Sequence, residues 1–549
     1  MIRIINKCKY LFLILGLAGC KKTLDLTPQD QISDASFWKT PAHFELAAND
    51  FYYGLQQVSQ YIDINSDIAF GAGANAVSDG SYQAAANSDI WDKSYKQIRA
   101  VNYLLQKAPE SNLGSDIDRW VGEALFFRAY NYWKLVKSFG GVPKIDKVLD
   151  VTSKELYTPK SSQSEIIDFI LSDLENAANK LPLNSQLDAS ETGRVTRGAA
   201  LALRARVALF MGTWAKYHGE GDGSGYINIA IDAAEKVVAS NEYALYTDHG
   251  ADSYKYLFIQ QGDDSKEVLL AFRYYANRIT HNWTRELWFN YMVPTKNLAD
   301  MYLATDGLPI DKSSLFQGYN TLTSEFQNRD PRMSMTFIVP GSDIFFEGGL
   351  MQPTYPGFSG SNATHTGYMI RKFLDETIEA TQFAGAYDFK EFRYAEVLLI
   401  LAEAIYEKNG SITDQDLDRT INVVRSRVNM PALTNAFVLA NGLNMLDEIR
   451  RERTVELSFE GYRRDDLRRW HIAETVLPQS LKGVKFVGTE YQSKYPDLVP
   501  GTDIQVDNNG FIIAEDASSR QFLPKHYLDP IPLQQIQLSN GTLLQNPGW

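Results

Sequence analysis

Two stretches of this 549-residue chain set aromatic rings among side chains that hydrogen-bond hydroxyls. Residues 273–291 read RYYANRITHNWTRELWFNY, with Trp283, Trp288, Phe289 and Tyr291 among Asn277, Arg278, Asn282 and Arg285. Residues 63–91 are rich in Gly, Ala, Asn and Ser, carry Asp67, Asn75, Asp79, Tyr82, Asn87 and Asp89, and end at Trp91. A sugar presents flat C–H faces and a rim of hydroxyls. Its recognition therefore calls for exposed aromatic platforms beside Asp, Asn, Arg or Gln. The candidate ligand contacts are Trp283, Trp288 and Tyr291 in the first stretch and Asp67, Tyr82 and Trp91 in the second. Trp283, flanked by polar residues on both sides, is the leading platform. Trp91 opens a helix and reads equally as core, and Trp288, followed by Phe289, reads equally as facing inward. Phe345-Phe346 with Tyr355 to Phe358 forms a third aromatic loop and a lesser candidate.

Catalysis finds less to work with. The chain has no Gly-x-Ser-x-Gly elbow, phosphate-binding loop or His-Glu-x-x-His motif. Its seven histidines are scattered without the spacing of zinc ligands. Glycosidases need only two suitably placed carboxylates, which 67 acidic residues always offer. The expectation is binding without chemistry and without a cofactor. Gly219 to Gly225 (GEGDGSG) alternates oxygen ligands with glycines as calcium loops do, but lacks the third acid and closing Glu. A flexible inter-helix connection is the preferred reading there, and a structural cation stays open.

Helical periodicity supplies the scaffold. Apolar residues recur at helical spacing from Ser36, from Trp91, over 117–137, 164–180, 196–217 and 227–240, and again over 392–407, 416–427 and 445–460. Paired helices with small and large apolar residues at their contact faces have the texture of tetratricopeptide-type repeats or of a helical bundle. Residues 245–380 hold short strand-like runs (VLLAFRYY, MTFIVPG, YMIRKF) and many turn residues. The long polar run after residue 63 is of the kind that carries function. The expected fold is mostly α, with a helical repeat scaffold, an irregular ligand-binding region and few short strands.

The N-terminus has a basic segment (Arg3, Lys7, Lys9), an apolar run from Tyr10 to Ala18 too short to span a bilayer, and then Leu17-Ala18-Gly19-Cys20. This ending resembles the lipobox of bacterial lipoproteins. It implies removal of residues 1–19 and a lipid anchor on Cys20. The other cysteine, Cys8, leaves with the leader, so the mature chain has no disulfide. Net charge is −13, and losing Arg3, Lys7 and Lys9 takes it to −16, which argues against nucleic acid.

Several motifs together resemble the SusD/RagB family of outer-membrane nutrient-binding lipoproteins. They include RAYNYWKLVKSFGGVP (128–143), Thr196 to Arg206, Asp306-Gly307, NRDPR (328–332), RYAEVLLILAEA (393–404) and IRRERTVELSFEGYRRDDLRRW (449–470). Ile531-Pro532 and the terminal QNPGW continue the match. The resemblance implies four tetratricopeptide-like repeats, with regions 20–240 and 241–549 making one unit. It also implies a SusC-like TonB-dependent transporter as partner, an outer-membrane location facing the exterior, and an oligosaccharide ligand. A peptide ligand, or a repeat adaptor that binds only proteins, is the alternative. Some members carry acids after the lipid cysteine as a surface-export signal, where this chain has Lys21 and Lys22. A periplasm-facing anchor therefore stays open. The Arg-rich 445–470 segment reads as a structural salt network, with Asp447–Arg451 and Arg453–Glu456 paired along a helix.

Overall fold

The computed structural model describes residues 36–59, 62–345, 351–360, 362–376, 383 and 385–549. The leader and Cys20 lie outside the described residues. Helices form along the apolar periods, three of them behind the caps Ser88, Ser162 and Thr196. They are α1 (Asp89–Glu110), α2 (Asp118–Phe139), α3 (Gln163–Lys180), α4 (Arg197–Tyr217) and α5 (Ser224–Ala239). Ser162 and Glu165 close a capping box on α3, and the Thr196 hydroxyl receives the Ala199 N–H at the start of α4. α2 stops at Gly140, whose φ of 69° suits glycine, with Pro143 shortly after.

Each of these helices packs on the next, so the chain folds back and forth as antiparallel pairs. α4 is enclosed on nearly every side. Its small residues permit this: a Cβ on Gly212 would approach the Ile227 side chain of α5 to 2.6 Å. α6 (Tyr394–Asn409), α7 (Met445–Glu456) and α8 (Arg463–Arg469) complete the scaffold. α5 packs on α6, α6 on α7 and α4, and α8 on α4. The early and late helical blocks, which periodicity leaves separate, thus form one tetratricopeptide-like scaffold with a core running from Trp38 to Leu543.

The segments between and after the helices contribute four antiparallel two-stranded sheets among the described residues. β1 (Ala69–Gly71) pairs with β3 (Met292–Pro294), and β2 (Val268–Phe272) with β6 (Phe389–Arg393). β4 (Ser342–Phe345) pairs with β5 (Met351–Thr354), and β7 (Leu481–Lys485) with β8 (Phe511–Glu515). Of the expected strand-like runs, VLLAFRYY supplies β2. MTFIVPG and YMIRKF meet only at the isolated bridge Phe337–Ile370. The reason is local: Asp330 caps the helix Pro331–Thr336, which takes up Met335 and Thr336. Among the described residues no helix is long and apolar enough to cross a membrane.

Candidate functional site

The pairing of β1 with β3 brings the two aromatic-polar stretches together. Gly71 lies opposite Met292 and Ala69 opposite Pro294. The approach to β1 is fixed from below. Asp67 accepts both Nε and Nη2 of Arg463, at 2.7 and 2.9 Å, while its carbonyl accepts the Thr295 hydroxyl at 2.6 Å. Asp63, in the left-handed region at φ 58°, accepts the Gly461 and Arg463 N–H groups at 3.0 and 3.3 Å. Burial pushes the Asp63 carboxyl up to about 7 against those hydrogen bonds. Above this clamp, residues 71–77 form a lip. Asn75 caps the helix Ala76–Asp79 by accepting the Val77 N–H, and its amide donates to Asn65 at 2.6 Å. Tyr291, the residue before β3, stands against the lip with 43% of its surface exposed. Together they enclose a pocket of about 590 Å³ with Asn65, Asn75 and Tyr291 on its walls.

Asn65 and Val77 also wall a neighbouring cleft of about 500 Å³, which reaches Tyr82, Asn87, Trp133 and Arg464. The Tyr82 hydroxyl donates to Asp529 at 3.3 Å, and its ring rests against Trp549 with centroids 4.8 Å apart. The basic groups of this cleft are neutralised in place. Lys137 pairs with Asp465, Arg464 with Asp529 and Arg453 with Asp466.

Of the six ligand candidates, Tyr291 and Tyr82 line these concavities and the other four do not. Trp283 is 1% exposed and stacks on Phe373, with centroids 4.2 Å apart. It begins the short helix Trp283–Trp288, where successive residues turn by about 100°, so polar neighbours say nothing about the face it takes. Trp288 packs against the Ile338, Ile344, Met369 and Leu374 cluster. Asp67 is a buried ion-pair partner of Arg463 and positions the loop. Trp91 is 5% exposed, edge-on to Phe139, and faces a different groove beside Tyr157. In the third loop, Phe358 packs among Phe486, Tyr491 and Tyr495, and exposed Tyr355 lies under Lys494. The Phe345 side chain and Phe346 fall outside the described residues. Asn65 and the Gly71–Ala74 lip escaped sequence reasoning, although the Gly-Ala-Gly-Ala-Asn run was visible.

A family model described as the SusD family matches residues 237–549, more than half the chain. The chain belongs to the SusD family. A second model, described as starch-binding and associating with the outer membrane, matches residues 42–209. SusD-like protein P38 of Formosa agariphila is 24% identical over 85% of this chain and 92% of its own. A SusD-like carbohydrate-binding protein from Bacteroides fragilis is 25% identical, covers 92% of this chain and 99% of its own, and superposes with a TM-score of 0.76. A surface glycan-binding protein A from Bacteroides fluxus, 19% identical over 93% of this chain and 100% of its own, shares the fold with a TM-score of 0.62.

In this SusD-family chain the Arg-rich signature is a buried salt network, but its pairings differ from those expected. Glu456 does not pair with Arg453. It receives Arg393 and Arg427, at 2.6 and 2.5 Å, and Arg332 at 3.0 Å. Arg453 reaches across to Asp466, and Arg451 pairs with Glu448 in place of Asp447. Burial alone would raise the Glu456 carboxyl, but Arg427, Arg393 and Arg332 overcome it and hold the group far below its ordinary range. Lys372 donates to Glu460, the Ser458 carbonyl and the Tyr254 hydroxyl, and burial pulls it down to about 8. The expected pairs were counted along one helix. Arg451–Glu448 stays within that helix, but Glu456 and Arg453 pair with other elements. At residues 219–225, Glu220 accepts the Trp214 indole N–H and Asp222 caps Ser224. No group of three or more possible metal ligands occurs among the described residues.

Proposed function

We propose that this protein captures an oligosaccharide outside the cell and passes it, chemically unchanged, to a SusC-like TonB-dependent outer-membrane transporter. The observation that carries the reading is the β1–β3 pairing, which makes one pocket from both aromatic-polar stretches and leaves the Tyr291 ring available for a sugar face beside Asn65 and Asn75. Family membership and a relative titled carbohydrate-binding support a glycan as the ligand class. Binding without catalysis fits the local chemistry: the carboxylate of Asp67 is consumed by Arg463, and that of Asp529 by Arg464. The lipobox-like Leu17-Ala18-Gly19-Cys20 supports a triacyl-type anchor, strong enough to hold the protein at the membrane.

The test is calorimetry of residues 21–549 against a panel of neutral oligosaccharides and one peptide digest. Heat from one glycan class, with affinity at least tenfold weaker in Tyr291→Ala (about 1.4 kcal/mol), is the expected result. Heat from the digest alone would transfer the reading to peptide capture. Co-purification of Tyr291→Ala with the transporter at wild-type levels would separate ligand binding from docking.

A further inference from the structure

Trp91 belongs to the core at 5% exposed, yet it also lines a separate groove. Ser88 caps α1, placing Trp91 on its first turn and Tyr95 four residues later on the same face. Together with Tyr157 they line a groove of about 540 Å³, within the range of small-ligand sites. The Tyr95 hydroxyl donates to the Pro143 carbonyl at 2.7 Å, which fixes its ring. Tyr157, on the turn Lys154–Tyr157, is 45% exposed and offers an open ring face.

The polar groups of the groove sit at its edges. Arg99 donates one N–H to the Leu149 carbonyl. Glu155 pairs with Lys147 while both side chains stay substantially open to water. Gln535 reaches Asp92 only at 3.5 Å, which leaves its amide free to take a better partner. Aromatic faces on the floor and wall, with donors and acceptors at the rim, are the arrangement a pyranose requires. The two cations, Arg99 and Lys147, balance the two anions, Asp92 and Glu155, so the rim suits an uncharged chain better than a uronate polymer.

The groove also adjoins the cleft. The cleft wall includes Ile90 and Pro532, and the groove wall takes up Trp91, the next residue, and Gln535, three residues on. We propose that the groove floored by Trp91 and Tyr95 and rimmed by Tyr157 is a second carbohydrate subsite, selective for neutral oligosaccharide. The proposal rests on the glycan reading above. Two subsites on one chain favour long ligands, because the second contact is made at high effective concentration.

The experiment is hydrogen–deuterium exchange of residues 21–549 with maltoheptaose, laminarihexaose and xylohexaose, for wild type, Tyr157→Ala and Tyr291→Ala. Tyr157 is exposed, so its loss leaves the fold intact, as the melting temperature will show. The expected result is protection of residues 71–77 and 289–291 and of residues 154–158 and 535–543 by the same oligosaccharide. Tyr157→Ala should abolish only the second set and weaken hexasaccharide or heptasaccharide binding about tenfold. Protection of the first set alone, unchanged in Tyr157→Ala, would overturn the subsite and leave the glycan reading standing. Protection of the groove alone supports the subsite and removes Tyr291 from the binding site. No protection by any of the three sugars overturns both.

Discussion

Residues 273–291 and 445–470 invert each other's appearance. The first is polar and aromatic, looks like surface, and hides Trp283 almost completely. The second is crowded with Arg, Asp and Glu, also looks like surface, and contributes Arg453, Glu456, Arg468 and Arg469 to the interior. What separates them is the kind of partner. Trp283 is buried because Phe373 offers it a stacking face. The charged segment is buried because Arg332, Arg393 and Arg427 arrive from other elements to meet Glu452 and Glu456. Neither partner lies near in sequence, so neither burial follows from local hydropathy.

The largest effect should come from breaking the charged side of this comparison. Glu456→Ala removes the carboxylate shared by three buried guanidinium groups, leaving Arg332 with Asp330 and Glu452, Arg393 with Glu267 and Glu460, and Arg427 with Glu267. Removing one partner from a buried ion cluster costs about 3–5 kcal/mol. Urea denaturation of the soluble protein should show a loss of at least that size, or no folded protein at all. A loss below about 1 kcal/mol would mean the cluster is replaceable, and the contrast with residues 273–291 would collapse.

Trp283→Ala breaks the aromatic side. It opens a cavity against Phe373 and Phe389, at a cost of about 3–5 kcal/mol in stability. At a temperature where the variant remains folded, oligosaccharide affinity should match the wild type. A selective loss of affinity with unchanged stability would return Trp283 to the ligand site.

The contrast shows how far the sequence was legible. Long helices such as 164–180 and 196–217 came through because the apolar period is a local signal. The helix expected from Ser36, by contrast, starts at Pro41, and the one over 416–427 breaks into Asp414–Asp418 and Ile421–Ser426. The SusD-family motifs were legible too, since they identify residues without saying whom they touch. The site was legible only as two separate stretches. What joins them is the β1–β3 pairing, which sets Ala69 opposite Pro294, and no period or spacing encodes it. Tyr291 and Trp283 share a segment and a composition, but Trp283 is buried on Phe373 while Tyr291, the residue before β3, keeps 43% of its surface exposed.

The pH dependence of stability sharpens the comparison at intermediate size. Asp63 and Asp388 are both raised to about 7, the first by burial and the second by burial and then by Asp263. Between their ordinary value of 3.8 and about 7 the folded chain holds protons that the unfolded chain has lost. Their contribution therefore grows as pH falls through that window and is lost as pH rises to about 7. Glu403 acts in the opposite sense. Burial would raise it, but Arg469 draws it from 4.5 down to about 2. Its contribution is present above about 4.5 and fades as pH falls toward about 2. Chemical denaturation from pH 4 to 8 should give a shallower slope in Asp63→Asn, with Asp388 supplying the remainder. An unchanged slope would remove Asp63 from the account.

Tyr291→Ala should have the smallest effect on the fold and a decisive one on the ligand. The residue is 43% exposed and belongs to none of the hydrophobic clusters, so stability should change by less than about 0.5 kcal/mol. Tyr291→Phe keeps the stacking face and loses only the hydroxyl, so its affinity should lie between those of the wild type and Tyr291→Ala. Two residues eight positions apart on one segment would then separate cleanly, Trp283 carrying stability without affinity and Tyr291 affinity without stability. If Tyr291→Phe binds as poorly as Tyr291→Ala, the hydroxyl and not the ring face is the contact, and the pocket works by hydrogen bonds through Asn65 and Asn75.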